Sequence, residues 1–328
     1  MRHASRCGEG NTRRVKKANI VVIGGGTGLS VLLRGLKTFP VDITAIVTVA
    51  DDGGSSGRLR QELSIPPPGD IRNVLVALSE VEPLVEQLFQ HRFENGNGLS
   101  GHSLGNLLLA GMTSITGDFA RGVRELSKVL NVKGKVLPAS NQEIILHGEF
   151  EDGSFVEGES KIPLTGKKIK RVFIEPENPM PLHESLIAIN EADLVVLGPG
   201  SLYTSVIPNL LVKQITAAIR KSSAWKVYIC NVMTQPGETD HFTASDHVKA
   251  IYEHAGDGLL NAILVNEQKI PFSYAQRYAA EGAEEVVVDE KQLEALGMEV
   301  VADDFLYFDN RYLRHDAIKL SQRLVSML

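Results

Sequence analysis

The sequence predicts an α/β protein: a Rossmann-like, mostly parallel sheet with helices on both faces and a small β-rich insertion. Three observations carry this. Near-continuous apolar runs, rich in Val and Ile, alternate with stretches of helical period, the pattern of parallel strands buried on both faces. The first such run, Asn19-Ile20-Val21-Val22-Ile23, ends in a glycine-rich turn that leads into a helix. Mid-chain, Glu151-Asp152-Gly153 stands between two alternating runs, a strong hairpin signal.

Residues 1–17 are basic and polar, with Arg2, Arg6, Arg13, Arg14, Lys16 and Lys17, and read as a flexible extension ahead of one domain spanning 18–328. After the first strand, Leu29 to Leu36 has helical spacing and Ile43 to Val49 is a strand. Asp70, following Pro66-Pro67-Pro68-Gly69, is placed to cap a helix over Ile71 to Ser79. Further helices are expected at 84–93, 103–113 and 119–130, and the β-rich insertion at about 132–176. Alternation then resumes. Strands are expected at Ala192 to Leu197, Lys226 to Val232, Ala262 to Val265 and Glu285 to Val288, with a helix from Ile207 to Arg220 and an amphipathic one from Ala317 to Leu328.

Composition narrows the function classes. The chain has 328 residues, 43% hydrophobic and 23% charged, enough for a sizeable core. A net charge of −6 argues against nucleic acid as the main partner, because phosphate-backbone binding rests on an excess of Lys and Arg. Cys7 and Cys230 cannot build a disulfide framework or a thiolate zinc site, which fits a reducing cytoplasm. No run is long enough for a membrane span, so no membrane partner is expected.

The segment Gly24-Gly25-Gly26-Thr27-Gly28 reads as a phosphate cradle, since glycines admit a close ligand and the first helical N–H groups point at an anion. A tight turn without a ligand would look similar. The dinucleotide fingerprint fits poorly, because Leu29 occupies its third glycine position. NAD therefore stays open only as an alternative ligand. Asp51 and Asp52 close the next strand and run into Gly53-Gly54-Ser55-Ser56-Gly57, a second anion-binding nest. These acids either hold a divalent metal such as Mg2+, with Asp51 the candidate ligand, or accept hydrogen bonds from the glycine N–H groups.

Ligands of open α/β sheets sit beyond the carboxyl ends of the strands. On that rule the loops Gly24 to Gly28, Asp51 to Arg58, Gly198 to Thr204 and Met233 to Thr239 open on one edge. In the third, Gly198, Gly200, Ser201 and Thr204 repeat the glycine-and-hydroxyl composition, although the hydroxyls could merely cap a helix. His102 and Asn106 lie one helical turn apart, available to a ligand or to packing. Arg72 and Asn73 follow Asp70 in a first helical turn, where a cation opposes the macrodipole unless an anion lies between. Arg314 offers a bidentate fork, and Tyr274 and Tyr278 an aromatic face for a base or sugar, or for packing.

Taken together, Ile23 to Ser30, Thr48 to Gly57, Pro67 to Asn73, Gly101 to Asn106, Gly198 to Thr204 and Asn231 to Thr239 resemble the gluconeogenesis factors of the YvcK type, over residues 18 to the C-terminus. That family is related to the 2-phospho-L-lactate transferases, the CofD-like, metal-dependent enzymes that share the first glycine loop and the Asp-Asp loop. The resemblance implies a non-catalytic regulator that binds uridine-diphosphate sugars, especially UDP-N-acetylglucosamine, and influences carbon flux, cell shape and cell-wall precursor supply. It implies that Tyr278 and Arg314 contact the ligand. Binding is expected to need no cofactor, and a regulatory protein partner and a homo-oligomeric state are expected. The alternative implied by the relatives is a transferase holding Mg2+ on Asp51 and Asp52.

Overall fold

The computed structural model describes residues 17–308 and 313–328, so the basic extension, apart from Lys17, and Cys7 lie outside the described residues. Strand β1 (Asn19–Gly24) leads through Gly25 into helix α1 (Gly26–Leu36), and β2 (Asp42–Val47) pairs parallel with β1, Ile20 opposite Ile43. Five helices follow: α2 (Gly54–Leu63), α3 (Gly69–Leu78), α4 (Pro83–Gln90), α5 (Leu104–Thr116) and α6 (Phe119–Val129). Strand β3 (Lys135–Pro138) returns to the sheet beside β2.

A separate antiparallel sheet comes next, made of β4 (Ile145–Phe150), β5 (Phe155–Glu157) and β6 (Ile169–Glu175), in the order β5-β4-β6. Gly153, at φ +79°, turns the hairpin between β4 and β5 as the Asp-Gly signal predicts. The second half contains α7 (His183–Asn190), β7 (Leu194–Leu197), α8 (Ile207–Leu210), α9 (Lys213–Lys221), β8 (Trp225–Ile229), α10 (Ala244–Ala255) and β9 (Ala262–Asn266). It closes with α11 (Phe272–Ala280), α12 (Glu290–Ala295), β10 (Glu299–Asp303), the β11 (Leu306–Phe308) and β12 (Leu313–His315) hairpin, and α13 (Ala317–Val325).

The main sheet is seven-stranded and parallel, in the order β10-β9-β8-β7-β1-β2-β3. The predicted α/β class, with its parallel sheet and small β-rich insertion, is what the structure has. The chain first builds outward from β1 through β2 to β3, then restarts at β7 on the other side of β1. That reversal leaves a crevice between the loops after β1 and β7, the place where doubly wound sheets bind ligands. Strands β1 and β7 are buried almost throughout, and α1, α3 and α13 cover one face, with Gly35 of α1 set directly against the Ala317 carbonyl of α13. None of the described helices is long and apolar enough to cross a membrane.

Four local expectations differ from the structure. Pro68, not Asp70, occupies the cap position of α3; Asp70 lies inside the first turn, and its carboxylate accepts the N–H of Gly26. Lys135–Pro138 belongs to the main sheet, so the antiparallel sheet itself runs from Ile145 to Glu175 rather than from residue 132. Glu285 to Val288 is not a strand of the sheet: Val286 N–H bonds to the Val232 carbonyl and Ala244 N–H to the Val287 carbonyl, so this segment braces the loop after β8. The seventh strand is instead Glu299–Asp303, whose acidic ends suit an exposed sheet edge and mask its apolar pattern. The helix expected over Ile207 to Arg220 breaks at Leu211 and Val212, where Val212 is extended at ψ 92°.

Candidate functional site

The crevice contains a cleft of about 470 Å3, and all four polar loops line it. Gly26, Thr27 and Gly28 come from the first, Asp51 from the second, Pro199, Gly200 and Ser201 from the third, and Asn231 to Gln235 from the fourth. Tyr278, Leu313, Arg314 and His315 form the opposite rim, which continues into an adjoining lobe of about 410 Å3 reaching Val31. The two lobes share Thr27, Gly28, Gln235, Tyr278 and Arg314, so the recess is elongated.

The glycine loop is shaped by its neighbours. Gly25, the cap of α1, has no side chain to bond the first-turn N–H groups, and a Cβ there would stand 2.5 Å from Asp70 Oδ2 and 2.6 Å from Thr48 Cγ2. Gly26 sits at φ +67°, in the left-handed region that favours glycine. At Gly28 a Cβ would come 3.0 Å from the Pro199 carbonyl, so the first and third loops pack directly on each other. The result is a helix N-terminus aimed into the cleft, whose cap residue offers no side chain and whose Gly26 N–H is taken by the Asp70 carboxyl.

Three carboxyl groups face this N-terminus: Asp51, Asp70 and Glu159. Asp51 Oδ1 accepts the Gly53 N–H at 2.9 Å, which is the turn role anticipated as one of its two alternatives. Burial, together with the nearby Asp51, raises the Asp70 carboxyl to about 7. Burial and the surrounding acids, Asp51 first, push Glu159 up to about 9, so near neutrality it holds its proton and can donate a hydrogen bond. Across the cleft, burial lowers His315 to about 4, opposed by its hydrogen bond to the Cys230 backbone, and the ring is neutral.

Asp52 turns the other way. Its Oδ1 accepts the Ser160 N–H at 2.8 Å, which ties the loop after β2 to the turn Glu159–Lys161 and thereby delivers Glu159 to the cleft. Ser201 stands at the cap position of the helical turn Leu202–Val206, but its side chain makes no capping bond, and neither does that of Thr204. Ser201 Oγ accepts from Gln235 Nε2 at 2.8 Å, linking the third and fourth loops, and Thr204 Oγ1 donates to Glu238 Oε1 at 3.1 Å. Burial raises Glu238 to about 7 against the bonds from Thr204 and Tyr203.

The structure places several expected residues behind the cleft rather than in its lining. Ser55 Oγ is gripped by His102 Nδ1 at 2.9 Å and Asn106 Nδ2 at 3.1 Å, so these three form one buried cluster under the second loop. Arg72 donates to Ser103 Oγ and, at 2.7 Å, to Asn73 Oδ1; it braces the helices instead of reaching the cleft wall. Gly24, Gly25, Gly54, Gly198 and Thr204 shape loops without lining the recess. On the rim, Tyr278 Oη accepts the Leu313 N–H at 3.1 Å, which fixes α11 to β12 and puts Arg314 beside it; Tyr274 packs on Phe308 and lines neither lobe.

Asp70, Glu159, Ser205, Asn231 and His315 are lining residues not singled out from the sequence. Asp70 was legible only as a cap, because the proline-glycine context before a helix gives the same signal. Glu159 had none, since its position depends on how the inserted sheet docks.

The family described as 2-phospho-L-lactate transferase CofD matches residues 20–306. A gluconeogenesis factor of Halalkalibacterium halodurans is 69% identical over 311 residues, covering 95% of this chain and 97% of that one. The chain belongs to the gluconeogenesis factor family. The Bacillus subtilis gluconeogenesis factor is 62% identical over 95% of this chain and 99% of its own. A crystal structure of a Bacillus halodurans protein is 69% identical and superposes with a TM-score of 0.93 over 94% of this chain and all of that one. The chain thus shares most of its length with these gluconeogenesis factors and its fold with the Bacillus halodurans protein.

Proposed function

We propose that this gluconeogenesis factor is a cytoplasmic binding protein for a uridine-diphosphate sugar, UDP-N-acetylglucosamine foremost, that acts as a regulator of carbon flux and of cell-wall precursor supply, and so of cell shape, through a protein partner. One observation carries the reading: an elongated recess with the N-terminus of α1 at its centre and Tyr278 and Arg314 on its rim. The N–H groups of Thr27 and Gly28, next to the Gly26 N–H that Asp70 accepts, suit a diphosphate. Arg314 supplies a fork for a phosphate or carboxylate oxygen, and Asn231, Thr234 and Gln235 supply hydrogen-bonding partners for a sugar or base. Both lobes lie in the size range of small-molecule pockets.

The acids are compatible with an anionic ligand because Glu159 is protonated near neutrality and Asp70 is half so. Among the described residues no group of three or more His, Cys, Asp or Glu is arranged to hold a metal. Asp51 and Asp70 nevertheless fit Mg2+, which takes one or two carboxylates and completes its shell with phosphate oxygens and water. Such an ion would offset the repulsion between these acids and the ligand.

That same pair favours a second reading, a phospholactate-type transferase in which the metal supports phosphoryl-group chemistry. Calorimetry separates the two. The sensor reading expects saturable, unconsumed UDP-N-acetylglucosamine, competing with any binding of NAD; it fails if no nucleotide sugar gives heat or a thermal shift. The transferase reading expects a metal-dependent product with a deazaflavin acceptor, lost in Asp51→Asn.

A further inference from the structure

We infer that the open edge of the inserted sheet, strand β6, is a docking site for an extended, apolar and basic segment of a partner protein, which adds to the sheet as a fourth strand. The inference rests on the reading that this protein acts through a partner, and it gives that contact a surface and a chemistry.

The sheet order β5-β4-β6 leaves one side of β6 without a neighbouring strand. Antiparallel strands turn the N–H and C=O groups of successive residues to opposite sides. Val172 shows which residues face outward: its N–H donates to His254 Nε2 at 3.0 Å, while His254 Nδ1 donates to the Ala250 carbonyl at 2.7 Å. The ring nitrogen stands where the carbonyl of a further strand would stand. Two residues on, the N–H and C=O of Ile174 take the same direction, and among the described residues neither meets such a partner. They open on a groove of about 600 Å3, walled opposite by Leu211 and Lys213 at the break between α8 and α9 and by Glu253 and His254 of α10. Backbone pairing of this kind is a common way to bind an extended segment.

Sheet edges are normally blunted by proline or by free cations. No proline interrupts Ile169–Glu175, and its two cations, Lys170 and Arg171, are both drawn onto Glu149, at 2.7 and 2.6 Å.

Side chains around the groove identify the occupant. Phe173 stacks on His147 with ring centroids 5.0 Å apart, and Phe155, 62% exposed, meets Phe173 edge-on. A strand laid along β6 puts every second side chain on this aromatic face, where an apolar residue would cover it. Lys213 is held by Glu177 at 2.7 Å. Glu253 belongs to no ion pair among the described residues, and Glu175 has only His147, at 3.4 Å. Two carboxylates are left for a Lys or Arg of the incoming segment. A phosphate-bearing ligand or an anionic membrane would be repelled there, and a second copy of β6 would bring the same carboxylates against them. The inserted sheet is also the element that reaches the cleft, through the Ser160 N–H bond to Asp52.

Fluorescence anisotropy on the full chain tests the inference, with a capped, dye-labelled peptide of about six residues in which Val and Phe alternate with Lys. Saturable binding is expected. Of the two alternately N-methylated forms of this peptide, the one whose methyl groups meet β6 is expected to bind about tenfold more weakly, the other as the parent does. Glu253→Lys is expected to weaken the parent peptide about threefold and to leave UDP-N-acetylglucosamine binding unchanged. Hydrogen exchange at the Ile174 amide is expected to slow when the peptide is added. No saturable binding, equal binding of all three peptides, or equal binding of a peptide with Glu in place of Lys would each overturn the proposal. So would slowing at Ile174 that follows protein concentration alone, which would assign the edge to a second copy. Peptide binding is read without nucleotide sugar, so a chain that takes the peptide and no nucleotide sugar refutes the sensor reading and leaves this one standing.

Discussion

Replacing Asp70 by Asn should stabilise this protein at neutral and alkaline pH, against the usual direction for a buried polar residue. The carboxyl is enclosed beside Asp51, and in the folded protein it keeps its proton up to about pH 7, whereas in the unfolded chain it releases it near 3.8. Between those values folding takes up a proton, so stability falls as pH rises from about 4 to about 7 and is level above. The interval corresponds to about 4 kcal/mol. Asp70 is partly open to the cleft, and screening by water brings the expected effect to about 2 kcal/mol. Asn cannot ionise, and its carbonyl oxygen can still accept the Gly26 N–H that Asp70 accepts now. For a chain of this length about 2 kcal/mol is roughly 3 °C in Tm. Scanning calorimetry of wild type and Asp70→Asn from pH 4.5 to 8.5, with divalent ions removed, measures it. The curves should meet at the acid end and part by pH 8, the variant melting higher. A variant that melts lower at pH 8, or a difference that does not change with pH, would refute the reasoning.

Gly35→Ala should cost about 3 kcal/mol or more in urea unfolding, because a Cβ at Gly35 would stand 2.1 Å from the Ala317 carbonyl and α1 would have to leave α13. Arg314→Ala should weaken UDP-N-acetylglucosamine roughly 10- to 100-fold by calorimetry, the loss of a charge-assisted hydrogen bond. Arg72→Ala should do the reverse, lowering Tm through its lost bonds to Ser103 and Asn73 while leaving the dissociation constant within a few-fold. Millimolar Mg2+ should raise the Tm of wild type by mass action, and Asp51→Asn should abolish that rise, which thermal-shift fluorimetry reads directly.

The parallel sheet was legible because β1, β7 and β9 each carry an unbroken apolar run of four residues, the pattern of strands covered on both faces. The four converging loops followed from it, since parallel strands put all their carboxyl ends on one edge. Illegible parts fall where one local pattern has two tertiary uses. Asp70 has the residue type and context of a helix cap yet bonds to the N–H of another helix. His102 and Asn106 share a helix face, as their spacing requires, but that face meets Ser55 rather than the cleft. Glu159 reaches the cleft through the Asp52 to Ser160 bond, which spans 108 residues and leaves no trace in local spacing.

A co-crystal structure with UDP-N-acetylglucosamine tests the central claim most directly. The account predicts the diphosphate against the backbone N–H groups of Thr27 and Gly28, Arg314 on a phosphate oxygen, and the ligand extended between the acidic lobe and the Tyr278 rim. A nucleotide sugar bound elsewhere, or a cleft that stays empty at saturating ligand, would contradict it.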